Sequence, residues 1–281
     1  MYNFNLNNLS ENNLNDQVNM LLSIKSLLPR YLNSIPDSEF ICICNFLDKR
    51  GRSIKKENDK KPLFVETGCG ASTLAFAFFA YKFQGVSYTW DSNILKVSEI
   101  RKAIYETIGI QLKINLDLFW KPVQHLSNSR TVGINIFKEM NMQIDLYMHD
   151  SEHTQRTLLS ELELVLNNSS KVFDVLIDDA HYRYKNYDYA YSNLMRSKLG
   201  LKPCNPPLNE IGDTLKQSAI NLFNSKNINF DDLDIYLKEI IDKHKDKNHL
   251  SKNNKVINVT GNKDDSSSLS SDRFAAFTIK K

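Results

Sequence analysis

The chain has few cysteines, and none of them form a C-x-x-C pair. Four cysteines occur among 281 residues, and no two are separated by two residues. The C-x-x-C spacing of zinc and redox sites is therefore absent. A chain of this length also buries a full core without needing disulfides or structural zinc. We expect free, mostly buried thiols and a cytoplasmic protein.

The sequence also lacks a long apolar run and a signal-like N-terminus. Residues 1–17 are polar and rich in asparagine, unlike a secretory signal peptide. The most apolar stretch, Leu74–Phe83, is far shorter than the roughly 20 residues that cross a bilayer. The formal net charge of +3 is too small and too scattered for a nucleic-acid-binding face. We expect neither a membrane nor a nucleic-acid partner.

Strands and helices alternate from Pro62 onward. Short apolar runs predict strands, and the longer segments between them predict helices. This alternation is typical of an α/β fold with a parallel sheet and helices on both faces. The predicted strands are Leu63–Thr67, Val86–Trp90, Leu112–Leu116, Ile144–Met148, Val172–Ile177, Lys255–Thr260 and Phe274–Ile279.

Two regions differ from this alternation. Residues 1–60 have apolar side chains at helical spacing and end in a charged linker at Lys49–Lys61, which together predict an N-terminal helical cap. Three prolines after Gly200, followed by two amphipathic segments, predict a helical insertion at about residues 202–253. Residues 61–281 are predicted to form one α/β domain that carries this insertion.

A glycine turn follows the first predicted strand. Gly68 and Gly70 let the backbone turn sharply and approach a ligand closely, and the next helix begins with free N–H groups. Asp91 ends the following strand, where a carboxylate can bind ribose hydroxyls. Thr73 stands where the dinucleotide pattern has its third glycine, which weakens a nicotinamide interpretation. By itself, such a turn is equally compatible with an ordinary strand–helix connection.

Acidic residues follow two further strands, in His149-Asp150-Ser151-Glu152-His153 and Asp178-Asp179-Ala180-His181. The carboxyl ends of parallel strands share one edge. Five carboxylates should therefore meet there and repel one another unless a cation or donors are present. They are Glu66, Asp91, Asp150, Asp178 and Asp179. Oxygen ligands favour Mg²⁺, Mn²⁺ or Ca²⁺. The structural alternative is that acids after strands cap the next helix, and Ser151 could do the same.

A metal at this edge would have a chemical role. It could bind an acceptor hydroxyl and lower its pKa. Glu152 or His153 could then take the proton. For His181, a catalytic role and a structural role are evenly balanced.

From Leu63 to about Ala190, the chain resembles class I S-adenosylmethionine (SAM)-dependent methyltransferases. Within that class it is similar to the metal-dependent O-methyltransferases of sugars and small natural products, the macrocin and cephalosporin-biosynthesis type. The family's acid, glycine and Ser-Thr turn is matched by Glu66, Gly68, Gly70, Ser72 and Thr73. Its Asp-Gly-Asp-His motif is matched by Asp150-Ser151-Glu152-His153, and its Asp-Asp by Asp178-Asp179.

The resemblance implies a Rossmann-like seven-stranded sheet, mostly parallel with an antiparallel last strand. It implies that Mg²⁺, or Mn²⁺ or Ca²⁺, binds Asp150, Asp178 and Asp179. Glu152 falls where some members carry the catalytic base, with His153 and His181 as further candidates. The residues expected to bind SAM are Glu66, Gly68, Gly70, Ser72, Thr73, Asp91 and Asp150. The insertion at residues 202–253 has no counterpart in the family.

Three functions remain open at this point. The first is a magnesium-dependent O-methyltransferase acting on a sugar, a glycan or another hydroxylated small molecule, with a metal-independent variant that uses His153 or His181. The second is a nicotinamide-dependent oxidoreductase. The third is a non-catalytic relative of the fold. Because amphipathic appended helices often pack against another subunit, a homo-oligomer is also expected.

Overall fold

A computed structural model describes residues 13–58, 60–109, 115–124, 142–186, 189–245 and 273–281. These residues form eight α-helices and seven β-strands. The helices are α1 (Leu14–Lys25), α2 (Asp37–Asn58), α3 (Ser72–Lys82), α4 (Ile94–Ile104), α5 (Gln155–Asn168), α6 (Tyr189–Lys198), α7 (Leu215–Ser225) and α8 (Asp234–Lys245). The strands are β1 (Leu63–Thr67), β2 (Val86–Asp91), β3 (Trp120–Gln124), β4 (Ile144–His149), β5 (Ser169–Ile177), β6 (Asn229–Asp232) and β7 (Ala275–Lys280).

The strands form a single sheet in the order β3-β2-β1-β4-β5-β7-β6. Strands β1 to β5 pair in parallel with one another. Strand β7 runs antiparallel to both β5 and β6. The predicted fold class, a mostly parallel seven-stranded sheet with an antiparallel last strand, is confirmed.

Helices cover both faces of the sheet. Phe64 of β1 packs with α1, α2, α3, α4 and α8 on one face. Its neighbours Leu63 and Val65 pack with α5 and α7 on the other face. This alternation follows from the two-residue period of a strand. It explains why the buried strands carry apolar residues on both sides.

The N-terminal region differs from its prediction in one respect. Helix α2 continues to Asn58, so the charged linker predicted at Lys49–Lys61 is wrong. Lys55, Lys56 and Glu57 are exposed, whereas Ile54 is buried. The charges therefore mark the solvent face of a long helix. Helices α1 and α2 share one buried cluster with α3, and the division of the chain at residue 60 stays a prediction.

Two strands at the sheet edges were not predicted from the sequence. Strand β3 begins at Trp120. Of the strand predicted at Leu112–Leu116, residues 112–114 lie outside the described residues, and Leu116 begins a short helical turn. The edge position of β3 accommodates Pro122, which cannot donate to a neighbouring strand. The predicted helical insertion contains β6 as well as α7 and α8. The four residues of β6 are mostly exposed and show no strand-like apolar pattern. The predicted strand Lys255–Thr260 and residues 246–253 of the insertion lie outside the described residues.

Cys42, Cys44 and Cys69 are buried and Cys204 is partly exposed, and all four are free thiols. No helix in the described ranges combines the length and the apolar character that crossing a bilayer requires.

Candidate active site

Backbone hydrogen bonds join the loops at the carboxyl edge of the sheet. The Asp150 N–H donates to the Thr67 carbonyl at 2.9 Å, and the Asp178 N–H donates to the His149 carbonyl at 2.9 Å. The chain segments after β1, β4 and β5 are therefore held side by side. The structure brings the acidic residues predicted at this edge into one region.

The turn after β1 requires glycine at one position. Gly68 has a φ of +95°, and an added Cβ would lie 1.7 Å from the Asp150 carbonyl oxygen. The turn therefore packs directly against the loop after β4. Gly70 is less constrained, since its Cβ would lie 3.3 Å from the Leu32 carbonyl oxygen. Ala71 precedes α3 without a side-chain capping bond.

Glu66 is fully buried beneath this turn. Ser72 Oγ donates to its Oε2 at 2.8 Å, and Thr89 Oγ1 donates to its Oε1 at 2.7 Å. Burial raises the pKa of Glu66 to about 7, and the surrounding hydroxyls partly oppose that rise. Both carboxylate oxygens are occupied by protein hydroxyls, so Glu66 ties β1 to β2 and α3.

Asp91 lies beside the glycine turn. Its Oδ2 accepts from the Cys69 N–H at 2.8 Å, and its Oδ1 accepts from the Asn93 N–H at 2.6 Å. Lys96 Nζ is 3.9 Å from Oδ2. These contacts fix a partly exposed carboxylate next to the turn, where a ligand held by the turn would lie.

Asp150 and Asp178 lie together at the ends of β4 and β5. Burial and the neighbouring charge of Asp178 raise the pKa of Asp150 well above its ordinary value. Asp178 is 3% exposed. Asp179 follows with a φ of +48°, a left-handed conformation that Asp tolerates better than most residues.

A fourth carboxyl group, Glu39, was not predicted to belong to this site. It lies in the first turn of α2 and is buried. Burial raises the pKa of Glu39, as does the charge of Asp178, while Arg273 opposes the rise. Its sequence context gave no signal, because acids are ordinary in the first turn of any helix.

Arg273 contacts three of these carboxyl groups. Its Nε is 2.9 Å from Asp179 Oδ1, 3.7 Å from Asp178 Oδ1 and 3.6 Å from Glu39 Oε1. Burial alone would lower the pKa of Arg273. The negative charges of the carboxylates outweigh this effect, so the pKa is raised. Arg273 was not predicted as a site residue, because it directly follows the Ser- and Asp-rich segment 261–272 and belongs to no recognised motif. We call Glu39, Asp150, Asp178, Asp179 and Arg273 the carboxylate cluster.

The three candidate bases occupy different positions. His153 Nε2 lies 3.5 Å from Asp179 Oδ2, at the border of the carboxylate cluster. Glu152 Oε2 accepts from Thr157 Oγ1 at 2.9 Å, at the start of α5. His181 is exposed. The structure therefore brings His153 to the cluster and leaves the His181 side chain exposed.

The cap of α5 is provided by Thr154 rather than by Ser151. Thr154 Oγ1 accepts from the Thr157 N–H at 3.2 Å. Ser151 Oγ instead donates to Glu161 at 3.1 Å.

Glu161 is the centre of a second, fully buried polar network. His149 Nδ1 lies 2.7 Å from Glu161 Oε2, and the hydroxyls of Tyr147 and Thr67 donate to the same oxygen at 2.6 and 2.9 Å. This network joins β1, β4 and α5 on the face of the sheet that α5 covers. His149 is therefore a packed histidine.

The predicted metal ligands do not fit a metal ion as they are arranged. No group of three or more Asp, Glu, His or Cys residues within the described ranges could hold one. Arg273 lies on Asp178 and Asp179 instead. A guanidinium in ion-pair contact with two of the three expected ligands competes directly with a divalent ion.

The structure is similar to solved O-methyltransferases. The O-methyltransferase from Bacillus cereus, solved in complex with SAH (S-adenosylhomocysteine), has a TM-score of 0.47 at 11% identity, covering 98% of this chain and 94% of that one. TomG from Streptomyces achromogenes, an O-methyltransferase involved in tomaymycin synthesis and solved with SAM, has a TM-score of 0.47 at 10% identity, covering 93% of this chain and 90% of that one. No protein-family model and no curated protein matches the sequence. Because the identities and TM-scores are low, the activity is inferred from the site.

Proposed function

We propose that this chain is a SAM-dependent O-methyltransferase acting on a hydroxyl group of a sugar or another small metabolite. One observation carries the proposal. The glycine turn after β1 packs against Asp150, since a Cβ on Gly68 would lie 1.7 Å from the Asp150 carbonyl oxygen. A turn suited to a nucleoside cofactor thus directly adjoins a cluster of groups suited to holding a hydroxyl and its proton.

On the cofactor side, Asp91 is our candidate for the ribose hydroxyls. Its carboxylate is fixed by the N–H groups of Cys69 and Asn93, and each oxygen keeps a further lone pair for a ligand. We assign the backbone of Gly68 and Gly70 and the start of α3, at Ser72 and Thr73, to the rest of the cofactor. Glu66 supports this turn from beneath.

On the acceptor side, we assign the proton of the reacting hydroxyl to the pair formed by His153 and Asp179. Asp179 Oδ2 lies 3.5 Å from His153 Nε2 and would stabilise a protonated ring. Glu152 is less suited, because Oε2 already accepts from Thr157. SAM supplies an activated methyl group, so alignment of donor and acceptor can contribute roughly 7–11 kcal/mol to lowering the barrier.

Thr73 favours this function over a nicotinamide-dependent oxidoreductase. The dinucleotide pattern needs a third glycine for close packing of helix on strand. Here Thr73 Oγ1 accepts from the Gly70 N–H at 3.2 Å, so its side chain fills the turn. Magnesium dependence is left out of this proposal, because Arg273 lies against Asp178 and Asp179.

Calorimetric titration with S-adenosylhomocysteine tests the proposal. We expect the wild-type protein to bind it, and Asp91→Ala to weaken binding by about ten- to a hundredfold, because hydrogen bonds to a charged group contribute about 1.5–3 kcal/mol. Asp117→Ala is the matched control. Asp117 is an exposed acid paired with Arg101 on the surface, and its removal should leave binding unchanged.

Three outcomes separate the candidate functions. Binding of S-adenosylhomocysteine that is weakened in Asp91→Ala but not in Asp117→Ala, with an unchanged thermal midpoint, supports the methyltransferase. Binding of NADH but not of S-adenosylhomocysteine would assign the chain to the oxidoreductases. Binding of neither compound would favour a non-catalytic relative of the fold.

A further inference from the structure

The carboxylate cluster brings together more negative charge than a buried site tolerates without compensation. Four carboxyl groups meet there, from the first turn of α2 and from the ends of β4 and β5. Carboxylates that lie together in this way repel one another, and burial makes their charges still more costly. Protons on some of these carboxyl groups, a positive group, or both must therefore offset the charge. Whether a positive protein side chain is present decides whether this edge of the sheet needs a metal ion.

Arg273 is such a side chain. Its Nε lies within 3.7 Å of Asp179, Asp178 and Glu39. Its backbone is also fixed, because its carbonyl accepts from the Ala180 N–H at 2.6 Å. The contact thus joins the segment before β7 to the loop after β5. A guanidinium has five N–H donors and can serve several carboxylates at once.

Buried oxygens of the cluster lack donors of their own. Glu39 Oε2 and Asp178 Oδ1 have no hydrogen-bond partner within the described ranges. Both residues lie in ion-pair contact with Arg273. Glu39 adds a fourth carboxyl group to the three that the family resemblance assigns to a metal. Arg273 Nε is also buried without a hydrogen-bond partner in these ranges, so Arg273 is held to the carboxyl groups by ion-pair contacts.

We propose that Arg273 is the resident cation of the carboxylate cluster and takes the place of the divalent metal ion expected at Asp150, Asp178 and Asp179. The inference rests on the proposed function for its catalytic meaning, which is methyl transfer without a metal. Its physical basis is that the guanidinium of Arg273 excludes a divalent ion. A divalent ion on Asp178 and Asp179 would lie beside the guanidinium, and the two positive charges would repel each other.

This inference is tested by titrating the full chain with Mn²⁺ alone. Electron paramagnetic resonance measures the concentration of the free ion at each step. We expect wild-type protein and Arg273→Lys to bind Mn²⁺ no better than the matched control Arg101→Ala, whose arginine pairs with Asp117 on the surface. Arg273→Ala should bind one equivalent at least about tenfold more tightly, because the carboxylates lose their cation. Adding Asp178→Asn to Arg273→Ala should remove that binding.

Arg273→Ala is expected to be unstable without an ion. In that case its thermal midpoint should rise when Mn²⁺ is added, since a ligand that binds only the folded state stabilises it. The midpoint of the wild-type protein should not rise. Tight binding of Mn²⁺ to wild-type protein that Asp178→Asn abolishes would overturn the inference. Absence of binding in both wild type and Arg273→Ala would also overturn it, because Arg273 would then not be what excludes the ion.

The same samples can be titrated with S-adenosylhomocysteine. If that ligand fails to bind while the Mn²⁺ pattern holds, the proposed methyltransferase function fails and the assignment of Arg273 stands.

Discussion

Glu66 shows how strongly burial acts on a single carboxyl group at this site. It is fully buried, and its pKa is raised from 4.5 to about 7, chiefly by burial. A raised pKa means that the folded protein holds the proton more tightly than the unfolded chain does. The contribution of Glu66 to the free energy of unfolding is therefore fully present below about pH 4.5 and is lost as the pH rises through about 7.

The first prediction concerns Glu66→Gln, which removes the charge and keeps the shape. Relative to wild type, this variant should gain roughly 3 kcal/mol of unfolding free energy between pH 4.5 and pH 8, because only wild type must ionise a buried acid. Urea unfolding of the ligand-free protein at several pH values measures the difference. Glu99→Gln, at an exposed position of α4, is the control and should show no such trend. A difference for Glu66→Gln that does not change with pH would contradict the prediction.

At the scale of elements, α2 links the site to the centre of the sheet. Glu39 lies at its beginning, and Arg50 lies about 16 Å further along the helix axis. Arg50 Nε and Nη2 donate to Asp174 of β5 at 3.0 and 2.7 Å. Thr278 of β7 donates to the same carboxylate at 2.7 Å. This buried ion pair fixes the helix that brings Glu39 to the carboxylate cluster.

The second prediction follows from this ion pair. Arg50→Ala should lower the free energy of unfolding by about 3–5 kcal/mol, since it leaves a buried carboxylate without a counter-charge. Arg101→Ala breaks an ion pair whose side chains are 57% and 58% exposed and should cost less than about 1 kcal/mol. Denaturant unfolding compares the two variants.

Recovery in a double variant provides a check on the second prediction. Arg50→Met combined with Asp174→Leu should regain most of the loss, because an apolar pair of similar volume often replaces a buried ion pair without cost. Equal losses for Arg50→Ala and Arg101→Ala would show that α2 is held mainly by its apolar contacts.

At the scale of the whole molecule, the N-terminal helices and the sheet share one core. Val18 of α1, Phe40 of α2, Phe76 of α3 and Leu237 of α8 belong to the same buried cluster. Removing α1 and α2 would expose apolar side chains along α3 and the sheet. Because of this shared cluster, we expect the helices predicted as a cap to unfold together with the α/β unit.

The third prediction is that both parts unfold in one transition. Trp90 and Trp120 lie in β2 and β3 and are each 1% exposed, so their fluorescence reports on the sheet. Circular dichroism reports on all helices, including α1 and α2. The two midpoints should coincide, and Leu47→Ala in α2 should lower both equally, by an amount that corresponds to about 2–5 kcal/mol. Loss of helical signal ahead of the tryptophan change would reveal an independent cap.

The sequence predicted most of the sheet and one side of the site. Strand β1 was predicted with its observed bounds, and β2, β4, β5 and β7 were predicted within a few residues. Their apolar runs are long enough to be recognised. The edge strands β3 and β6 were missed because an edge strand needs little apolar character and tolerates proline. Asp150, Asp178 and Asp179 were found together because strand ends meet at one edge.

What the sequence by itself determined is local in origin. The period of apolar residues, the glycine turn and the acids at strand ends are properties of short segments, and they specify an α/β sheet with a ligand edge. Only the tertiary structure decided which charge neutralises that edge. Glu39 and Arg273 come from opposite ends of the chain. They meet because α2 packs across the sheet and β7 pairs with β5. No local pattern encodes such a contact, because it depends on where distant segments are placed once the core has formed.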